Sequence, residues 1–450
     1  MLKLYDSASG MARELELREP GRCSLYVCGP TVYDFPHLGH GRYALVFDVL
    51  RRYLEFSGLE VDFVSNITDV DDKIIERAAR EGSSETEVAY EWELRWWEAM
   101  DALGIKRPTQ TPHATQYVTP MVELVGRLMD QGNAYATSDG VYLDVSTVPD
   151  YGLLAGQPLE DLRSGARIEA NEEKRSPLDF ALWKFAKVGD PSWSAPFGDG
   201  RPGWHTECVV MSLDLLGDGF DLHGGGLDLK FPHHENERAQ AVAQGRAFAR
   251  HWVHNGWVVV AGEKMSKSLG NFTSLTDLLD KADARAYRLL VLRSHYRSPI
   301  EVTADTIGDA ERGLARLDSF GRRFGDLGDG AVDEIALEAF RAAMDDDLDS
   351  PRALAGIFDL VSRANAAADE GDASAELLAR SVLRELGALG IYLPLSAELA
   401  IDDLSGSLMQ RRDAARAAKD WASADSLRGE LEALGWVVED SAEGTKVRPA

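Results

Sequence analysis

Within residues 23–65 the apolar pattern changes period twice, and that change constrains the fold more than any other feature of the chain. CSLYVCG at 23–29 is a short apolar run ended by a Gly-Pro break, as expected of a strand. After a loop, Tyr43, Val46, Phe47, Leu50 and Leu54 recur at the i, i+3, i+4, i+7 spacing of an amphipathic helix. Gly58 closes the helix, and EVDFVS at 60–65 reads as a second strand. Strand, helix, strand in so short a stretch is a βαβ unit, which predicts an α/β fold with a parallel sheet.

The 450 residues allow two to four domains, at roughly 100–200 residues each. A helix is expected over about 73–103, broken near EGSSE. From about 112 the character changes: a helix at 116–129, a Gly132-Asn133 stop, then AYATSDGVYLDV, in which Asp139-Gly140 signals a β-hairpin. Residues 150–203 are rich in Pro and Gly. The pattern is continuously helical and Ala/Leu-rich over 304–396, helical again over 403–434, and ends in strand-like WVVEDSAEGTKVR. These shifts predict a Rossmann-like parallel-sheet catalytic domain in two halves, 1–111 and 201–303, interrupted by an inserted connective subdomain at 112–200. A helical bundle at 304–400 and a small mixed C-terminal domain at 401–450 follow. No repeat of 20–50 residues is present.

Charge and cysteine usage narrow the function. With 48 Lys+Arg against 75 Asp+Glu, the net charge of −27 excludes a polybasic DNA coater, while leaving room for one RNA held through local basic patches. No apolar run approaches the ~18–20 residues of a membrane span, and the first twenty residues mix charges throughout, so a soluble cytoplasmic protein is expected. Three cysteines (Cys23, Cys28, Cys208) are too few for a disulfide framework and suit a reducing compartment.

Four constellations carry chemistry. HLGH, from His37 through Gly39 to His40, opens the first helix, whose N-terminal N–H groups and partial positive charge favour phosphate; ordinary capping is the competing reading. KMSKS at 264–268 places Lys264 and Lys267 three apart between Gly262 and Gly270, a cationic loop able to grip pyrophosphate or simply a solvated one. It follows GWVVVAG, which puts it at the mouth of the same sheet. Six of the ten histidines fall from His205 to His254 around Cys208, and FPHHENE sets His233 and Glu237 four apart on one helical face. With Cys28 at the end of the first strand, two thiolates, an imidazole and a carboxylate suit four-coordinate Zn²⁺; core cysteines and a capped helix are the alternative. GGGLD, with Gly224, Gly225 and Asp228, reads as a glycine-rich turn, either for close approach to a nucleotide or merely flexible.

Jointly these motifs resemble class I aminoacyl-tRNA synthetases and, within them, the cysteinyl-tRNA synthetases. The matching blocks are YVCGPTVYDFPHLGHGR, NITDVDDKI, SPLDFALWK, GRPGWHTEC, DLHGGGLDLKFPHHENE, KMSKSLGN and HYRSP, with RRDAARAAKDWASADSLRGEL and GWVVED extending the likeness to the C-terminus. The resemblance implies zinc ligands at Cys28, Cys208, His233 and Glu237, one ion per subunit binding the substrate thiolate, with His234 pointing elsewhere. It implies contacts to cysteine from Thr31, Thr68 and Trp204, and to ATP from His37, His40 and Lys267. Lys264 and Lys267 would neutralise the leaving pyrophosphate, and Mg²⁺ would accompany ATP. Arg416, Trp421, Asp425 and Asp440 would contact the anticodon of tRNA-Cys.

That resemblance implies a two-step reaction: L-cysteine and ATP give cysteinyl-adenylate and pyrophosphate, and the terminal ribose of the tRNA then takes the cysteine. Serine differs from cysteine by one atom, which an apolar pocket separates by only ~100-fold, so a thiolate-selective metal removes the need for editing. Residues 411–428 hold five basic and three acidic residues, a local reversal of sign, and Trp421 can stack a base. Val447 stands where the family usually has Trp. The alternatives are a cysteine ligase of mycothiol synthesis, acting on a glucosamine–inositol acceptor without an anticodon module, and a non-catalytic zinc-stabilised RNA binder. A monomer is expected. Trp92, Trp96 and Trp97 read as core, Cys23 as a spare thiol, and Asp345, Asp346 and Asp347 as a polar helix junction.

Overall fold

The computed structural model describes residues 2–156, 173–187, 189–259, 274–394, 403–434, 436–441 and 444–449. It divides into two compact units, Met1–Leu317 with Asp329–Tyr392, and Asp318–Gly328 with Leu393–Ala450.

The first unit begins with the hairpin β1 (Lys3–Asp6) and β2 (Met11–Glu14). The predicted βαβ unit follows as β3 (Arg22–Val27), α1 (Leu38–Phe56) and β4 (Glu60–Ser65). β3 and β4 pair in parallel with Leu25 opposite Phe63. Cys23, Leu25, Tyr26 and Val27 are all buried, as expected of a strand covered on both faces. The periodic residues Val46, Phe47, Leu50 and Leu54 form the buried face of α1, which packs on β4. The helical stretch after β4 breaks where Gly82 closes α2 (Asp72–Glu81) in the left-handed conformation and Ser84 caps α3 (Glu85–Ala102).

Residues 118–202 build a second sheet. α4 (Val118–Asp130) leads into β5 (Ala134–Ala136), β6 (Gly140–Leu143), β7 (Phe180–Phe185) and β8 (Gly200–Pro202), four antiparallel strands in sequence order. Their core, including Val141, Leu182 and Trp183, runs continuously into Tyr26, Cys28 and Val64 of the first sheet.

The chain returns through α5 (Trp204–Leu216), β9 (Leu222–Gly226), α6 (Glu235–Ala243) and β10 (His251–Asn255). The parallel sheet is thereby completed in the order β10-β9-β3-β4. The GGGLD turn expected at 224–228 is corrected here, because Gly224, Gly225 and Gly226 end the buried strand β9. Packing explains the glycines: a Cβ on Gly224 would lie 2.2 Å from Phe47 Cε1, and one on Gly225 2.8 Å from His234 Cε1. The GWVVVAG run also departs from expectation. Only β11 (Val258–Val259) is described, and it pairs with β12 (Ile300–Glu301) rather than with the four-stranded sheet. Lys264 and Lys267 lie outside the described residues.

α7 (Leu275–Leu279) and α8 (Ala284–Leu292) pack against α1. The helical region follows as α9 (Ala304–Phe324), α10 (Glu334–Met344), α11 (Ser350–Glu370) and α12 (Ser374–Ala388). Asp347, at the junction after α10, is buried and accepts from the Tyr5 N–H, the Tyr296 hydroxyl and Arg297. In the second unit, α13 (Asp403–Ala417), α14 (Trp421–Ala433) and the hairpin β13 (Trp436–Ser441) and β14 (Gly444–Pro449) close on Leu408, Leu427, Leu431, Val438 and Val447. No helix among the described residues is long and apolar enough to cross a membrane.

Candidate active site

In a parallel sheet the backbone turns away from each strand at its carboxyl end, opening a crevice for ligands. Here that crevice is a cleft of about 520 Å³. Cys28, Gly29, Pro30 and Thr31 enter it from the end of β3, Gly226 and Asp228 from the end of β9, and Asn255, Gly256 and Trp257 from the end of β10. His37, Gly39 and His40 line it from the first turn of α1, and Trp204 from the start of α5.

The two imidazoles of HLGH cap their own helix. His37 Nδ1 accepts from the His40 N–H and His40 Nδ1 from the His37 N–H, each at 3.2 Å, with the rings stacked 3.6 Å apart. The capping reading is therefore realised, and the same side chains line the cleft. Because Nδ1 accepts, each neutral ring carries its proton on Nε2 as a donor. Burial lowers both groups, His40 to about 3, which keeps the rings neutral at pH 7. Trp96 meets the His40 ring edge-on at 5.7 Å, so one tryptophan read as core also shapes the site.

Cys28, Cys208, His233 and Glu237 converge beneath the cleft, all buried, with one donor atom of each within 4.8 Å of the others. The sulfurs are 3.7 Å apart, Cys208 Sγ is 3.6 Å from His233 Nε2, and Cys28 Sγ is 3.3 Å from Glu237 Oε1. Burial pushes the Cys28 thiol up. The hydrogen bond from Cys28 brings Cys208 down to about 6. Burial opposes the charge on His233, but Glu237 and Cys208 outweigh it and raise the imidazole to about 10. Burial likewise opposes the Glu237 carboxylate, and His223 and His233 hold it well below the usual range. A divalent cation held by these four residues would take the place of the protons on Cys28 and His233. The donor set therefore suits a metal ion.

His223, His234, Cys28 and Glu237 form a second, overlapping donor group. His234 stands outside the first group and turns its Nδ1 to His254 Nε2 at 2.8 Å, although it shares the second group, in which His223 Nε2 is 2.7 Å from Glu237 Oε2. The first group brings two sulfurs together, and His205 Nδ1 at 2.8 Å from His233 Nδ1 orients that ring with Nε2 toward them. Trp204, 39% exposed, stacks on His233 at 4.1 Å.

The other expected contacts divide. Thr31 reaches the cleft, whereas Thr68 is buried, pairs with Thr31 through the backbone and donates to Glu207 Oε2 at 2.9 Å. Asp228 lines the cleft; Gly224 and Gly225 are replaced there by their neighbour Gly226. Sequence reasoning missed Lys73, Asn255 and Trp257, all of which line the cleft. Lys73 lay in plain view in NITDVDDKI, and the other two directly follow the apolar centre of β10.

In the second unit Arg416 Nη1 is 2.6 Å from Asp440 Oδ1, and Arg412 Nη1 is 2.7 Å from the same oxygen. Trp421, 60% exposed, and Asp425, also exposed, stand four apart on α14.

Comparison with known proteins completes the description. Residues 14–312 match the tRNA synthetases class I (C) catalytic domain, 339–393 the DALR domain, and 405–448 the cysteinyl-tRNA ligase anticodon binding domain. The chain is 47% identical over 458 residues to the cysteine–tRNA ligase of Halorhodospira halophila, spanning 100% of this chain and 99% of that one. It is 45% identical to the cysteine–tRNA ligase of Beutenbergia cavernae, spanning 99% and 98%. Among solved structures, Mycobacterium tuberculosis methionyl-tRNA synthetase with methionyl-adenylate shares the fold at TM-score 0.59 and 16% identity, over 82% of this chain and 89% of that one. Agrobacterium radiobacter K84 LeuRS, in its ternary complex with tRNA and LeuAMS, shares it at TM-score 0.62 and 12% identity, over 84% of both chains. With a capped HLGH helix at the mouth of a parallel sheet, a thiol-rich donor cluster beneath it and matches along nearly its whole length, this chain belongs to the cysteine–tRNA ligases of the class I aminoacyl-tRNA synthetase family.

Proposed function

We propose that the chain activates L-cysteine with ATP and transfers it to the 3′-terminal ribose of tRNA-Cys. The observation that carries this reading is the meeting, in one cleft, of a two-sulfur donor cluster and a helix N-terminus bearing two Nε2–H donors.

The donor geometry favours zinc. A tetrahedral ion about 2.3 Å from sulfur and about 2.0–2.1 Å from nitrogen sets S···S and S···N edges of roughly 3.8 and 3.6 Å. The corresponding separations here are 3.7 and 3.6 Å. Cys28, Cys208, His233 and Glu237 would hold one ion per subunit, supplying a soft acceptor that favours a thiolate over the hydroxyl of serine.

In the first step a carboxylate oxygen of cysteine attacks the α-phosphorus of ATP and the bond to pyrophosphate breaks. In the second, a terminal ribose hydroxyl attacks the acyl carbon and AMP leaves. No covalent enzyme intermediate is needed, so positioning and charge stabilisation do the catalysis. His37 and His40 donate from Nε2 toward phosphate oxygens, beside the positive end of α1. Lys73 adds a cation, and Lys264 and Lys267 would meet the pyrophosphate, with Mg²⁺ accompanying the nucleotide. Thr31, Trp204 and, from beneath, Thr68 shape the cysteine end, and Asp228 borders the nucleotide end. Arg416, Trp421, Asp425 and Asp440 would contact the anticodon. The anticodon-domain match at 405–448 favours tRNA over the glucosamine–inositol acceptor of mycothiol synthesis. We read the protein as a cytoplasmic monomer, with sedimentation as the check on its oligomeric state.

Cysteine-dependent ATP–pyrophosphate exchange, with serine as the rival substrate and with chelation of metal, tests this reading, followed by transfer to tRNA. Exchange that needs metal, ignores serine and leads to charged tRNA is expected. Exchange without charging of tRNA would point to the small-amine acceptor instead.

A further inference from the structure

The residue that follows HLGH by two places is buried in a way its charge does not explain. Arg42, on α1, is only 1% exposed, and among the described residues no carboxylate pairs with it. A buried guanidinium without a carboxylate partner costs free energy unless its donors are used. Its Nη1 and Nη2 groups converge on three backbone carbonyls, while Nε has no partner among the described residues. Nη1 donates to the Trp257 oxygen at 2.5 Å, and Nη2 donates to the Tyr296 oxygen at 3.1 Å and to that of Ser298.

These carbonyls belong to two turns, the one leaving β10 and the one entering β12. The turns are joined by Gly256 N–H to the Tyr296 oxygen at 2.8 Å and by Ile300 N–H to the Trp257 oxygen at 3.0 Å. They press so closely that a Cβ on Gly256 would lie 2.5 Å from the Arg297 oxygen and 2.7 Å from that of Ser298. Several carbonyl dipoles thus point into one small volume, and the Arg42 fork adds a charged donor to the backbone N–H groups that meet the Trp257 and Tyr296 oxygens. Gly256, Trp257 and Val258 form one wall of the cleft, while His37, Leu38, Gly39 and His40 form another. Trp257 presents its indole there, 57% exposed. Arg42 is a rigid link from one wall to the backbone of the other.

We propose that Arg42 is a positioning residue for the nucleotide end of the cleft: through the Trp257, Tyr296 and Ser298 carbonyls it sets the separation of the 256–258 wall from the HLGH turn, on which ATP binding depends. This rests on the reading of the cleft as a site for ATP and cysteine. The cysteine end, built on Cys28, Thr31 and Trp204, is held by other contacts and does not depend on Arg42.

The test compares the parent protein with Arg42→Lys and Arg42→Gln. Lysine keeps the charge and folds most readily, but a point charge cannot fork across three carbonyls. Cysteine-dependent ATP–pyrophosphate exchange gives separate KM values for ATP and cysteine, and metal content is measured on the same preparations. In both variants KM for ATP should rise by about 10- to 100-fold, the scale expected when a binding wall shifts by an ångström. KM for cysteine should stay within about two-fold and metal content should be unchanged. Trp257→Ala should reproduce the same split. Equal rises in both KM values, or a lowered melting temperature with neither KM altered, would reduce Arg42 to a structural staple and overturn the proposal. If the parent shows no exchange, the functional reading itself fails. Direct ATP binding followed by tryptophan fluorescence then decides the Arg42 proposal, which is overturned if Arg42→Lys binds ATP as the parent does.

Discussion

The two thiols of the donor cluster are unequal. Cys28 is the donor in its hydrogen bond to Cys208, and burial raises it, while Cys208 is brought down to about 6 and supplies the thiolate. Cys208→Ser keeps the shape of the side chain and removes that thiolate. Because loss of an outer partner alone typically costs about 10- to 100-fold in metal affinity, Cys208→Ser should cost about 100-fold or more. Cys23→Ser, at a buried thiol whose charged neighbours are Asp221 and Asp62, should retain the metal. Metal analysis after dialysis against a chelator distinguishes the two. His37 and His40 show how far one residue's role is set by its place: the same imidazoles that satisfy the first turn of α1 are left with Nε2 as their donor.

At the scale of elements, α1 is fixed by a buried ionic knot. Asp48 accepts from Arg52 at 2.8 Å, from Arg288 of α8 at 2.6 Å and from the Lys106 N–H at 3.0 Å. Arg288 also donates to the carbonyls of Leu103 and Leu389. Arg288→Met should destabilise the protein by about 3–5 kcal/mol in urea unfolding at pH 7, because Asp48 loses one of the two cations that balance its buried charge. Burial opposes the Asp48 carboxylate, but Arg288 and Arg52 hold it below its ordinary 3.8. Its contribution is therefore complete above that value and lost as pH falls below it, so parent and variant should converge in acid. Glu385 on α12 has the opposite sign. Burial, and then the charge of Asp333, raises it to about 8 from 4.5, so stability falls as pH rises from 4.5 through 8. Glu385→Gln should match the parent near pH 4 and exceed it by up to about 5 kcal/mol at pH 9, measured by urea midpoints.

Over the whole molecule, a chain of net charge −27 must recognise an RNA polyanion through local features. The second unit carries the features proposed for this role: the basic stretch 411–428 and the exposed Trp421. Base stacking on an aromatic is worth about 1–3 kcal/mol, so Trp421→Ala should raise KM for tRNA by roughly 10- to 100-fold. Adenylate formation belongs to the first unit and should be unaffected, which ATP–pyrophosphate exchange beside aminoacylation checks. Arg416 and Asp440 behave differently from what residue type alone suggests: their ion pair, shared with Arg412, ties α13 to β13. On the reading proposed above, both residues would meet RNA from within that pair.

Much of this architecture is local and therefore readable from the chain. The period change that marks β3, α1 and β4, the Gly82 stop and the β5–β6 hairpin, whose turn centres on Ser138 and Asp139 one place before the expected pair, all arise from neighbours a few residues apart. HLGH stands at the mouth of the sheet because it opens the helix that follows, after a loop, the strand ending there. What depends on packing was not readable. The grouping of Cys28 with Cys208 is expected from residue chemistry and from the resemblance, but no spacing could show it: they are 180 residues apart, and only the meeting of β3 with α5 brings their sulfurs to 3.7 Å. Gly224 and Gly225 looked like a turn because glycine has no side chain to betray burial; Phe47 and His234, pressed against them, make that stretch a strand. Lys73, Trp257 and Arg42 carry no periodic mark, since their roles come from facing a cleft or a set of carbonyls assembled from distant segments. Side-chain spacing along one element decides which face is buried; what that face meets is decided only when the elements pack.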